Sequence, residues 1–76
     1  MRIELTGLGE KLKARREILR LLQQQLALLS GVSVRTIQLV EQGKGNPSLQ
    51  TLIRVADPLG LRLDLVLKNP VETVDP

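Results

Sequence analysis

The chain has 76 residues with no Cys, His, Phe, Tyr or Trp, and its 11 Lys and Arg outweigh 8 Asp and Glu to give a formal charge of +3. That length suits one small domain, whose core is marginal without a partner. The missing side chains exclude disulfides, thiolate chemistry, the common zinc sites, the usual general base and base-stacking aromatic platforms, so neither a cofactor nor a metal is expected.

A helical pattern runs over Leu8–Leu21, with Gly7 and Gly9 bracketing its start and Glu10 expected in the first turn. Leu8, Leu12 and Leu19 share one face, and Lys11, Lys13, Arg15 and Arg20 fall elsewhere as solvated cations. A shorter helix follows over Gln23–Ser30 with Leu26, Ala27 and Leu29 inward, and Gly31 ends it at a position that needs positive φ. Only Val32 then precedes Ser33, a good N-cap for a third helix over Val34–Gln42 in which Ile37 and Val40 face inward. Gly43, Gly45 and Pro47 make a loop. Ser48 caps a fourth helix with the stripe Leu49, Leu52, Ile53 and Ala56, which Pro58 and Gly60 stop.

The period then changes to two. Leu61, Leu63, Leu65 and Leu67 alternate with Arg62, Asp64 and Val66, the pattern of a strand. A lone strand leaves its backbone groups unpaired. The economical solution is antiparallel pairing with the same strand of a second copy; pairing with Arg2–Leu5 of its own chain is the alternative. Residues 69–76 show no periodicity and are expected to be a disordered tail.

Residues 1–68 hold all 11 cations but only six of the eight acids, leaving Glu72 and Asp75 to the tail. A basic body suits a polyanionic partner, although many other proteins are this basic. No apolar run approaches the roughly 18 residues of a membrane span, and Met1–Leu5 has no signal-peptide pattern, so a cytoplasmic chain is expected.

A helix, a sharp turn at Gly31 and a helix capped by Ser33 have the spacing of a helix-turn-helix. The stretch Gln23 to Ser33, with Thr36-Ile37, Glu41-Gln42-Gly43-Lys44, Asn46-Pro47-Ser48-Leu49 and Thr51-Leu52, resembles the Xre family of phage-repressor-like regulators over residues 8–61. The continuation Leu59-Gly60-Leu61-Arg62-Leu63 resembles its HipB-like branch, antitoxins that repress their own operon and bind a HipA-like kinase toxin. The resemblance implies an all-α fold: a four-helix, lambda-repressor-like domain over residues 1–68, with a short strand near 61–67 that pairs across a homodimer. It implies a repressor of a palindromic operator in duplex DNA. A stand-alone regulator and a module that mainly binds a toxin are the alternatives.

By the same resemblance Gln23 contacts a phosphate at a helix N-terminus, where the dipole favours an anion. On its own the Gln23–Gln25 run reads as a solvated helix face. Ser33, Val34, Arg35 and Thr36 match positions facing bases or backbone, with Gln38 and Leu39 one turn further. Arg35 suits guanine, since a guanidinium bonds O6 and N7 together. Gln42, Lys44 and Asn46 match loop positions near the next phosphates, and Arg16 and Glu41 match a structural ion pair. Leu61, Leu63, Leu65 and Leu67 are expected at the dimer surface. Two departures stand out: Leu22 replaces a capping Thr or Ser, a loss of about 1 kcal/mol, and Val34 and Leu39 occupy places where polar readers are common. With no catalytic constellation in the chain, an enzyme is not expected.

Overall fold

The computed structural model describes residues 5–65, with side chains from Gly7 onward. Four α-helices follow in order: α1 Leu5–Ile18, α2 Gln23–Ser30, α3 Val34–Glu41 and α4 Leu49–Ala56, the last running into a one-turn 3-10 helix at Asp57–Leu59. None of these helices is long and apolar enough to cross a membrane.

The core is aliphatic, as the composition requires. Leu12 from α1, Leu26 from α2, Ile37 and Val40 from α3, Leu52, Val55 and Ala56 from α4, and Leu59 and Val32 from the connections are all buried together. On α4 the inward set is Leu52, Val55, Ala56 and then Leu59, whereas Leu49 and Ile53 are 65% and 48% exposed. The expected stripe was rotated: Val55 lies on the inward side, and Leu49 and Ile53 take the flank. Leu29, expected inward on α2, is also exposed.

The first helix begins and ends three residues earlier than its pattern suggests. Glu10 therefore lies beyond the first turn, and Gly7 and Gly9 are interior residues. The stop carries no glycine. Leu21 N donates to Arg16 O at 3.0 Å and Arg20 N to Glu17 O at 2.9 Å, the two bonds of a Schellman motif. Arg20 takes the left-handed position at φ 57, the one non-glycine residue with positive φ among those described. Gly9 has a different task. A β-carbon there would run into the Val40 carbonyl oxygen and stand 2.9 Å from that of Glu41, so glycine lets α1 cross the end of α3 at backbone contact.

The three remaining starts follow the sequence reading. Ser33 Oγ accepts from Thr36 N at 3.1 Å, and Ser48 Oγ accepts from Thr51 N at 3.1 Å. Leu22 is extended (φ −79, ψ 157) and its side chain caps nothing, but Gln25 Oε1 accepts from Leu22 N at 2.8 Å. Half of a capping box is thus present.

The expected strand over 61–67 is not formed within the described residues, which hold no strand at all. Leu5 opens a helix, so a pairing with Arg2–Leu5 loses its last residue; Arg2, Ile3 and Glu4 lie outside the described residues, as do Val66, Leu67 and the tail at 69–76. A ladder requires a second strand, and the described residues offer none. The period of two is nonetheless visible in burial. Leu61 and Leu63 are half-buried against the core, Arg62 and Asp64 are exposed, and Leu65 is 80% exposed.

Candidate nucleic-acid interface

The unit formed by α2, its turn and α3 is held at three points. Gly31 at φ 71 donates its N–H to Ala27 O at 2.9 Å, which closes α2. Val32 turns inward and is buried. Ser33 then caps α3, donating its hydroxyl to Thr36 Oγ1 at 2.9 Å as well as accepting from Thr36 N. That hydroxyl is committed to the cap.

With Ile37, Val40 and Glu41 buried, the opposite face of α3 is fixed by the helical period. Arg35, Gln38, Leu39 and the following Gln42 fall at i, i+3, i+4 and i+7 on that face. Arg35 and Gln42 are exposed; Gln38 and Leu39 are half-exposed, as are Val34 and Thr36 at its flanks. A notch of about 190 Å³ joins Thr36 and Leu39 to Lys44, Asn46 and Pro47 in the loop after α3. The notch thus brings two of the expected α3 positions, Thr36 and Leu39, beside two of the expected loop positions, Lys44 and Asn46.

At the other end of the unit, the N–H groups of Gln23, Gln24 and Gln25 have no acceptor among the described residues, because the leucine at the cap offers none and the first helical bond is Leu26 N to Leu22 O. Gln23 itself is half-buried, and its Nε2 donates to Glu41 Oε1 at 3.0 Å. It is not a loose surface residue.

The expected Arg16–Glu41 pair forms. Arg16 Nε lies 2.7 Å from Glu41 Oε2 and Nη2 lies 3.1 Å from Oε1, a forked contact, while Nη1 donates to Leu21 O at 2.7 Å. Both residues are buried. The hydrogen bond to Glu41 raises the Arg16 pKa above the ordinary guanidinium range, against desolvation that lowers it. The pair ties α1 to the end of α3 and, through Leu21 and Gln23, to the start of α2.

Two residues carry roles that the sequence reading did not assign. Arg15, expected to be solvated, donates from Nε to Leu59 O at 2.8 Å, fastening α1 to the turn before Leu61. Only the long-range contact reveals this; nothing in the local pattern distinguishes Arg15 from Lys11 or Lys13. Gly9 looked like punctuation, and a glycine two residues into a helical pattern is the one signal that pointed to a close approach. The described residues hold no cluster of acidic groups able to bind a metal.

The profile of the helix-turn-helix family matches residues 12–66. Over 60 residues the chain is 40% identical to an uncharacterised HTH-type transcriptional regulator of Haemophilus influenzae, a match covering 79% of this chain and 61% of that protein. The chain therefore spans about three fifths of that relative's length. The fold is similar to the crystal structure of the restriction-modification controller protein C.AhdI of Aeromonas hydrophila, with a TM-score of 0.71 and 33% identity over 76% of this chain and 88% of that one.

Proposed function

The chain belongs to the Xre-like helix-turn-helix family, and from that membership we propose that it is a sequence-specific DNA-binding regulator that represses transcription as a homodimer on a palindromic operator. One observation carries the reading: α3 buries one face completely and presents Arg35, Gln38, Leu39 and Gln42 on the other. A helix laid in a major groove needs such a free face, which supports the reading. The regulator and controller-protein relatives support the same direction.

In this reading Arg35 forks onto guanine O6 and N7, and Val34 and Leu39 meet thymine methyl groups. Ser33 and Thr36 lie where α3 approaches bases and backbone, with Gln38 one turn further. Gln23 and the free N–H groups of α2 receive one phosphate; Gln42, Lys44 and Asn46 receive the next. Phosphate contacts supply most of the affinity, and the base contacts select the site.

Dimerisation through Leu61–Leu67 belongs to the same proposal. Within the described residues, Arg62, Leu63 and Asp64 donate no backbone hydrogen bond, so their edge is available to a second copy. A groove of about 540 Å³ between α1 and this segment is lined by Leu8, Leu12, Ile18, Leu61 and Leu63 together with Lys11, Arg15, Arg62 and Asp64; its leucines give a pairing strand apolar surface to cover. A finer reading adds a HipA-like kinase toxin as partner; it rests on the Leu59–Leu63 continuation, and a pull-down against such a kinase tests it.

The decisive experiment is selection from random duplex DNA at physiological salt. A palindromic consensus with half-sites about one helical turn apart supports the proposal. An unenriched pool refutes sequence-specific binding.

A further inference from the structure

We propose that Glu41 is a positioning residue for DNA binding, holding the Gln23 side-chain amide in its phosphate-contacting pose; the proposal rests on the reading of Gln23 as a phosphate ligand. The Arg16–Glu41 fork already gives each carboxylate oxygen one donor. Yet Glu41 Oε1 accepts a further bond, from Gln23 Nε2 at 3.0 Å, and that bond ends on the first residue of α2. The orientation of the amide is dictated chemically, since its oxygen cannot face a carboxylate.

Three consequences follow from this arrangement. One N–H of Gln23 is consumed, while the second N–H and Oε1 have no partner among the described residues. The side chain, half-buried and tethered, gives up its rotamer freedom when the protein folds and not when DNA arrives. The charge that does the tethering is neutralised: an unpaired carboxylate this close to a phosphate would repel it, but the Arg16 guanidinium covers both oxygens. The buried pair thus joins α1 to α3 and also aims a contact at the backbone of the duplex.

The test is a double-mutant cycle read on a mixed-sequence duplex of about two helical turns, between about 50 and 200 mM salt, where phosphate contacts dominate. Gln23→Ala is expected to weaken binding about tenfold and to flatten the salt slope by about one contact. Glu41→Gln, which presents an amide N–H to the Gln23 amide, is expected to weaken binding about threefold to tenfold in the native background and to add nothing when Gln23 is already Ala. If Gln23→Ala binds like the native protein, the phosphate reading fails. If Gln23→Ala weakens binding and the Glu41→Gln loss adds to it in full, the positioning role alone is overturned. A readout independent of Glu41→Gln folding is the Gln23 side-chain amide in the native protein. An NMR order parameter near the rigid-backbone value of about 0.85 supports tethering, and one below about 0.6 overturns it.

Discussion

Gly9 and Val40 meet so closely that a β-carbon on Gly9 would occupy the space of the Val40 carbonyl oxygen. The obstacle is backbone on the facing helix, not a side chain that can swing aside. Gly9→Ala is therefore expected to cost about 3 kcal/mol by urea unfolding, the upper part of the range for overpacking. Gly7, two residues earlier on the same helix, has nothing within 4 Å of its own β-carbon position. Gly7→Ala should stabilise by about 0.5–1 kcal/mol through helix propensity. Equal effects at the two sites would show that α1 and α3 do not cross here.

Arg20 holds a left-handed conformation at φ 57 with both Schellman bonds in place. Such a position costs an L-residue roughly 1–2 kcal/mol, and glycine little, although glycine also loosens the unfolded chain. Arg20→Gly should raise stability by about 0.5–1 kcal/mol, and thermal unfolding should shift upward by a few degrees. Arg20→Ala keeps the strain and should show no gain. A gain from Arg20→Ala would place the cost in the side chain instead of the backbone.

These two sites mark where the sequence ran out. The helix order, the Ser33 and Ser48 caps, the Gly31 turn and the Ile37–Val40 face were legible because each rests on a local signal. The end of α1 was not, because its αL residue is an arginine in place of the glycine that normally announces it. The direction in which α4 faces was ambiguous because Leu49, Leu52, Ile53, Val55 and Ala56 wrap around most of the helix; packing selects among them. At the interface, the outward face of α3 was legible from its period. The engagement of Gln23 by Glu41, 18 residues away, depends on tertiary approach.

Removing one partner of the buried pair should be far more damaging than removing both. Arg16→Met leaves the Glu41 carboxylate buried without a counter-charge and is expected to cost about 3–5 kcal/mol, while Arg16→Met with Glu41→Leu recovers most of it. The pH dependence has a definite sign. Glu41 raises the Arg16 pKa above its ordinary value, so the stabilisation from Arg16 is fully present below its unfolded pKa and is lost only as pH rises through the still higher folded value. The cost of Arg16→Met should therefore be the same at about pH 6 and about pH 9. A cost that fell between those values would mean that another titrating group carries the effect.

Arg35 and Lys44 should separate base reading from phosphate gripping. Arg35→Ala is expected to cost about 1–3 kcal/mol on the selected operator and to relax preference at one position of each half-site. Lys44→Ala should weaken every duplex alike and reduce the salt slope by about one contact. Competition binding against a panel of single-base operator variants distinguishes the two. A uniform loss from Arg35→Ala would remove it from the base-reading set.

Leu65 tests the dimer, because its side chain is 80% exposed. A proline there removes one ladder hydrogen bond from a pairing between copies. Its fold cost should be small: Leu65 lies beyond α4 and the 3-10 turn, and among the described residues its N–H donates only to the adjacent Asp64 carboxylate, at 2.8 Å. Sedimentation equilibrium of the full chain should show a dimer for the native protein and a shift toward monomer for Leu65→Pro, with the helical circular dichroism unchanged. Operator affinity should fall with it, since two half-sites held by one dimer gain from effective concentration and two monomers do not. If Leu65→Pro remains a dimer of unaltered strength, the copies meet elsewhere. The flank of α4 bearing Leu49 and Ile53, 65% and 48% exposed, is then the surface to mutate next.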